Sequence, residues 1–328
     1  MLSPTPAAHP NPPRSVRLSL TDRCDLACIY CRPHRRDGYL EERLEEGAWR
    51  SMIRGLVRAG VRRVRLTGGE PLLHPRAIEI LSFLGEQGLD DIALTTNGTR
   101  LAALAGPLRR AGLRRLTISL DSLVPERFFQ LTRGGNLARV LEGIDEALRV
   151  GFDELKINAV ILRDRNDDEL ENLTRWSWER RITPRFIEVM RVGEGANLPG
   201  SSLFTAREMR ERLAHLLVEG EARVDPDRGP ARYLRACHDA ALRVGFISGT
   251  SDTFCESCDR LRVASDGVLR PCLATNDGVD AATLARSGDE GGIEQAIGEA
   301  WSMKPNGRVW KGCTESSAAE VSMRAIGG

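Results

Sequence analysis

The chain has 328 residues, 41% apolar and 28% charged, the balance of a folded globular protein and not of a disordered or collagen-like one. Its formal net charge of +1 gives no overall pull toward nucleic acid, and no apolar run reaches the ~18 residues of a membrane span. Residues 1–15, MLSPTPAAHPNPPRS, are proline-rich without an apolar centre, so a loose arm is expected there, no secretion signal, and a reducing cytoplasmic setting.

Onward from residue 16, a strand-then-helix rhythm repeats six times. The predicted strands are VRLSL (16–20), VRRVRLT (61–67), DIALTT (91–96), RRLTISL (114–120), LKINAVIL (155–162) and PRFIEVM (184–190). Stretches of helical period lie between them, among them EGAWRSMIRGLVRAG, HPRAIEILSFLGEQG and NLARVLEGIDEALRVG, several closed by glycine. Alternating units of this kind imply an α/β fold with parallel strands and right-handed crossovers. Periodicity leaves a partial barrel and a doubly wound sheet equally open. Polar or glycine-rich segments follow the strands: TDRCDLACIYC, GGEP, NG and DS. Parallel α/β folds build their sites at such strand ends, so all of these point to one place.

Residues 191–232 read as a connector with helices such as FTAREMRERLAHLL. Past residue 240 the rhythm stops, and LRVGFISGTSDTFCESCDRLRVASDGVLRPCL reads as short strands and turns carrying cysteines. A helical segment, GGIEQAIGEAWSMKP, leads into a polar tail ending Gly327-Gly328.

The chain has eight cysteines, and six of them fall into two trios. Cys24, Cys28 and Cys31 lie in the loop after the first strand. Three thiolates suit a cubane iron–sulfur cluster with one iron open to an outside ligand. Zinc completed by His34, or plain core thiols, are the other readings of this spacing. Cys255, Cys258 and Cys272 form the second trio, for which a zinc ribbon completed by Cys237 or Cys313 is the alternative. Arg260 and Arg262 follow directly, either as a solvated face or as guanidinium forks for an anionic substrate. Lys156 stands out as one of only three lysines, placed inside an apolar strand. Buried there it needs an anionic partner; on an edge strand it would snorkel to water. Arg185 and Glu188, in the sixth strand, could simply pair with one another and are left out of the ligand contacts.

These residues carry a resemblance. TDRCDLACIYC, with Tyr30 before its last cysteine, and LTGGEP resemble the signature of the radical S-adenosylmethionine (SAM) superfamily. VRLTGGEPLL, LTTNG, ISLDS, KINAVILRDRNDDE, RFIEVM, GFIS, FCESCDRLRVASDGVLRPCL and the terminal IGG further resemble, in order and spacing, the GTP 3′,8-cyclase family of molybdenum-cofactor biosynthesis. That likeness runs over about residues 14–328. It implies a partial (βα)6 barrel of the TIM type over 16–225, after the arm at 1–15. A C-terminal extension, 226–328, would carry a second iron–sulfur cluster and the di-glycine tail.

The resemblance implies two 4Fe–4S clusters, on Cys24, Cys28 and Cys31 and on Cys255, Cys258 and Cys272. It implies SAM bound by Tyr30, Gly68, Gly69, Glu70, Ser119 and Met190, the glycines admitting the methionine portion and Glu70 meeting its amino group. GTP would be held by Arg17, Arg65, Thr95, Lys156, Arg260, Leu261 and Arg262, with Gly327 and Gly328 threading into the catalytic pocket. The implied activity is that of a lyase: a 5′-deoxyadenosyl radical takes hydrogen from the ribose C3′ of GTP, which then bonds to C8. The implied partners are an electron donor such as flavodoxin or ferredoxin and the downstream cyclic pyranopterin monophosphate synthase. Neither nucleic acid nor membrane is expected; a homodimer is left open. Asp259 stands where the family usually has Asn, Arg32 where Met is usual and Arg63 where Lys is common. A carboxylate at 259 is expected to offset Arg260 and Arg262. The rival functions are a two-cluster paralogue acting on another nucleotide or a peptide, and a zinc-stabilised nucleotide- or RNA-binding protein.

Overall fold

In a computed structural model the described residues are 12–32, 39–220, 223–224, 229–255, 258–305 and 323. His34, Lys311, Cys313, the first eleven residues and the Gly327-Gly328 end lie outside them. All six expected strands form: β1 (Ser15–Ser19), β2 (Arg63–Thr67), β3 (Asp91–Thr96), β4 (Arg115–Ser119), β5 (Glu154–Ile161) and β6 (Thr183–Glu188). Helices α1 (Glu46–Arg58), α2 (Ala77–Gly85), α3 (Leu101–Arg110), α4 (Pro125–Thr132), α5 (Leu137–Val150) and α6 (Leu170–Glu179) run between them. α5 shows why the local sequence suffices. Asn136 accepts the Arg139 amide at its start, and Gly151 ends it in the left-handed conformation at φ 79°.

The connector holds α7 (Glu194–Asn197) and α8 (Ala206–Arg212). The C-terminal part adds β7 (Arg223–Val224), β8 (Arg232–Arg235), β9 (Arg243–Ile247), β10 (Arg260–Val263), β11 (Val268–Arg270), β12 (Val279–Asp280), α9 (Ala282–Ser287) and α10 (Glu290–Ser302). Here the structure goes beyond the six-unit rhythm. Among the described residues one sheet runs in the order β12-β11-β10-β1-β2-β3-β4-β5-β6-β9-β8-β7. β10 pairs parallel with β1 and β9 parallel with β6, so the barrel strands are extended at both flanks by strands that no helical period announced.

The two faces of the strands differ in kind. Val16, Leu18, Val64, Leu66, Leu94, Leu116, Ile118, Ile157, Phe186, Val244, Phe246, Leu261 and Val263 join helix residues such as Trp49, Met52, Leu84, Leu101 and Ile144 in one buried cluster. Side chains alternate along a strand, so the same burial that fixes the outer face fixes the inner one. The inner face carries Arg17, Arg65, Thr95, Thr117, Lys156, Asn158, Arg185 and Arg262, aligned by register from strand to strand. The sheet is rolled around this polar face. Laid flat, β1 and β6 would stand ~24 Å apart. Yet Arg65 of β2 and Arg185 of β6 both donate to Thr117 Oγ1 of β4, at 3.4 and 3.1 Å, and the charge of Arg185 is felt at Arg17.

α10 and α9 pack on α1, tying the C-terminal part to the barrel. Gly55 of α1 is the contact point, because a Cβ there would lie 2.4 Å from Ile293 Cγ2 of α10. Overpacking at such a seam costs about 1–3 kcal/mol. Gly55→Val should therefore lower unfolding stability by that amount in urea denaturation; a wild-type midpoint would show that the seam yields freely.

Candidate active site

The first cysteine trio leaves the C-terminal end of β1, and its loop is strapped from two sides. From β2, the Gly69 amide donates to Thr21 O at 2.6 Å and the Glu70 amide to Arg23 O at 2.8 Å. A Cβ at Gly68 would lie 2.5 Å from Thr21 O, and one at Gly69 2.4 Å from Arg23 O. These glycines thus admit the backbone of the cysteine loop itself, a role nearer home than the methionine contact the resemblance implies. From β3, Asn97 Nδ2 donates to Asp25 Oδ1 at 2.7 Å and lies 3.8 Å from Cys24 Sγ. Asp22, 1% exposed, closes the loop by pairing with Arg43 at 2.6 Å and accepting the Leu40 amide at 2.7 Å.

Glu70 is fully buried, and its carboxylate accepts the Leu72 amide, the Thr96 hydroxyl and the Asn97 amide at 3.0, 2.7 and 2.7 Å. Burial pushes it up to about 7. Its visible task is to join the GGEP turn to the loop after β3. Tyr30 donates to Asp121 Oδ2 at 2.6 Å, and Asp121 Oδ1 accepts the Val160 amide at 2.9 Å. Burial raises Asp121 to about 6. Asp121 was visible in the ISLDS segment, yet only the structure reveals it as the tether of Tyr30. Ser119 and Met190 end β4 and follow β6 at the same mouth, with Met190 packed on Gly249.

Within the trio the three sulfurs are close enough to act on one another. Burial, with lesser contributions from Glu70, Asp25 and Cys31, pushes Cys24 up to about 12; burial, Asp121, Cys31 and Cys24 raise Cys28. The Leu26 amide lies 3.4 Å from Cys24 Sγ. Thiols crowded and desolvated in this way ionise only beside compensating positive charge, which a multi-iron group would supply.

The second trio stands at the other mouth. Cys255 and Cys258 precede β10, which runs parallel to β1, and Cys272 follows the antiparallel β11. Burial, then Cys272 and Cys258, raises Cys255. Cys258 is instead lowered to about 6, because Arg260 and Lys304 outweigh its burial. The Ala274 amide lies 3.4 Å from Cys272 Sγ. The two trios lie beyond opposite ends of β1, whose five residues at about 3.3 Å each span on the order of 15 Å. Among the described residues, no three His, Cys, Asp or Glu side chains are grouped to hold a single metal ion. Cys237 is exposed at the far end of β8.

Between the mouths lie the expected anion contacts. Arg17 is held well below its ordinary value, by burial and then by Arg262, Arg260, Arg65 and Arg185. Burial and neighbouring arginines bring Arg65 and Arg262 each to about 10. Arg65 also donates to Thr95 Oγ1 at 3.3 Å. Lys156 sits on a central strand, 2% exposed, so it does not snorkel; its anionic partner is Glu154, at 2.8 Å. Glu154 also takes Arg115 and Arg243, at 2.8 and 3.2 Å, and falls to about 2. No strand-end signal in the sequence marks Glu154. Burial and Arg185 bring Lys156 to about 7.

Three of the sequence readings take a definite form in the structure. Arg185 and Glu188, three residues apart on a strand, face opposite sides: Arg185 donates to Asn158 and Thr117, while Glu188 accepts the Ala206, Thr250 and Ser251 amides. Asp259 does not offset Arg260 and Arg262, because its carboxylate is taken by Arg63. Leu261 lies wholly in the outer core, so only its backbone is available to a ligand in the chamber.

A parallel barrel with a three-thiol loop at the mouth of its first strand has the build of a radical SAM protein. Residues 18–177 match the model of the Radical SAM superfamily, and residues 182–310 that of Molybdenum Cofactor Synthesis C. The chain is similar to Streptococcus suis SuiB at 16% identity and TM-score 0.62, over 90% of this chain and 66% of that one, just under two thirds of its length. It matches SuiB bound to S-adenosylmethionine with a TM-score of 0.61 over 94% and 76% of the two chains. The chain is 40% identical over 301 residues to a GTP 3′,8-cyclase of Pseudomonas putida strain W619, covering 88% of each. A Marinobacter nauticus GTP 3′,8-cyclase is 40% identical over 298 residues, again covering 88% of each. The chain belongs to the GTP 3′,8-cyclase family. Membership of an enzyme family removes the zinc-stabilised binding protein from consideration.

The glycine contacts make a sharp expectation. Gly69→Val forces the Arg23 carbonyl, and with it the first trio, away from β2. Cleavage of SAM to 5′-deoxyadenosine should fall by at least about tenfold, the consequence of misplacing a reactive group by an ångström or so; undiminished cleavage would show that the strap does not position the loop.

Proposed function

We propose that the chain converts GTP to 3′,8-cyclo-7,8-dihydro-GTP, the first step of molybdenum-cofactor biosynthesis. The observation that carries this is a rolled parallel sheet whose inner face crowds arginines and a lysine between two three-thiol sites. Cys24, Cys28 and Cys31 would hold one 4Fe–4S cluster, and Cys255, Cys258 and Cys272 a second. A cluster on the first trio, with SAM bound there, would supply one-electron chemistry toward the ribose of GTP.

The protein's own part is binding, orientation and exclusion of water. Tyr30, fixed by Asp121, with Gly68, Gly69, Glu70, Ser119 and Met190, would line the SAM end. Ser19, next to Leu20 at that end, is fully buried and its Oγ has no hydrogen-bond partner in this structure, as a polar ligand there would explain. Arg17, Arg65, Thr95, Lys156, Arg260, the Leu261 backbone and Arg262 would hold GTP, whose triphosphate relieves the repulsion among the arginines. The purine would then lie toward the second trio. Gly327 and Gly328 would enter the pocket as a side-chain-free tail. Residues 16–225 form the barrel unit in this scheme and 226–328 the auxiliary-cluster unit. The reaction class is that of a lyase, and a flavodoxin- or ferredoxin-type donor and the downstream pterin-forming synthase would flank it. With its carboxylate engaged by Arg63, Asp259 does not stand in the way of GTP.

Anaerobic incubation with GTP, SAM and dithionite tests this directly. Mass analysis should show an isomer of GTP, absent when Cys24 is replaced by alanine; 5′-deoxyadenosine without that isomer would point to the paralogue.

Lys156 adds a pH signature. Its folded pKa of about 7 lies below the ordinary lysine value, so in the empty chamber it loses its proton as pH rises through 7. A polyanion beside it restores the charge. GTP binding at pH 8 should therefore take up close to one proton, measured by calorimetry in buffers of different ionisation enthalpy. Lys156→Met should abolish the uptake and weaken binding; an uptake unchanged by that substitution would remove Lys156 from the triphosphate site.

A further inference from the structure

Lys304 is a buried cation that neither the barrel chemistry nor any motif explains. It lies just past the end of α10 and is 5% exposed. Its Nζ donates to Arg260 O at 2.7 Å and to Pro271 O at 2.8 Å, and lies 4.7 Å from the centre of the Trp301 ring. The two carbonyls belong to the two arms of one hairpin. β10 and β11 pair antiparallel through Arg262↔Arg270 and Val263↔Leu269. Continued outward, that register would set Leu261 against Pro271 and Arg260 against Cys272. The ladder stops there because Pro271 has no amide hydrogen to donate. Cys258 and Cys272 stand at this open end, one on each arm. The ammonium therefore replaces the missing ladder rungs at the point where the arms must keep two sulfurs in register.

We propose that Lys304 is a positioning residue for the second cluster. It pins the Arg260 and Pro271 carbonyls so that Cys258 and Cys272 stay at the separation one cluster requires, and it places a buried positive charge beside that cluster. The inference rests on the second trio being a cluster site.

Two properties follow. An ammonium with two carbonyl acceptors in a buried setting makes strong, charge-assisted bonds, and losing them loosens the hairpin's open end. A positive charge beside an iron–sulfur cluster favours its reduced, more negative form, and so raises its potential.

The experiment uses the reconstituted full-length holoenzyme. In Lys304→Met, a chelator challenge followed by electron paramagnetic resonance should remove iron from the second cluster at least about tenfold faster than in wild type. The midpoint potential of that cluster should fall, while SAM cleavage at the first cluster stays at the wild-type rate. If the methionine variant is insoluble, Lys304→Gln carries the test, keeping two donors for the carbonyls but no charge; its second-cluster potential should fall likewise. Wild-type iron retention and potential in either soluble variant overturns the proposal. A wild-type protein with only about four irons per chain would instead sink the second cluster itself, whatever Lys304 does.

Discussion

The structure depends on a concentration of like charge held where water is scarce. Arg17, Arg65, Arg185, Arg260 and Arg262 act on one another across the chamber, and burial adds to the cost of the charge on Arg17, Arg65, Arg185 and Arg262. Carboxylates temper this where Asp91 and Glu154 draw in Arg115, Arg243 and Lys156. Such an arrangement is held together from outside. The continuous apolar layer between strands and helices fixes the sheet's curvature, and the inner face must accept whatever the alternation places there. A multiply charged anion converts the resulting repulsion into attraction, so the protein's electrostatic strain is its affinity in waiting.

The same rolled sheet separates two chemistries by the length of a strand. One sulfur trio hangs from the C-terminal mouth, braced by the glycine turn after β2 and by Asn97 after β3. The other is carried on a hairpin grafted to the side of β1, at the opposite mouth. Both flanking strands of the barrel come from the C-terminal part, so the second trio is part of the wall and not an appendage. A ligand between the mouths can meet both.

The departures from the family pattern are less independent than they look along the chain. Arg63 and Asp259 are separated by most of the barrel in sequence but face each other across β2, β1 and β10. A longer cation and a new carboxylate meet and cancel. Arg32, buried and donating to Tyr39 at 2.9 Å, likewise packs within the cysteine loop.

The six strands, their flanking helices and the cysteine trios were legible in the sequence because each rests on local spacing: alternation, helical period, capping residues and the short intervals between thiols. Lys156 could be singled out because an ammonium inside an apolar strand conflicts with its surroundings. The Arg63–Asp259 pair and the hold of Lys304 on two hairpin arms were decided only in three dimensions. So was the pairing of β9 and β10 with the barrel's edges. Such contacts join segments distant along the chain, and that leaves no periodic trace in the order of the residues.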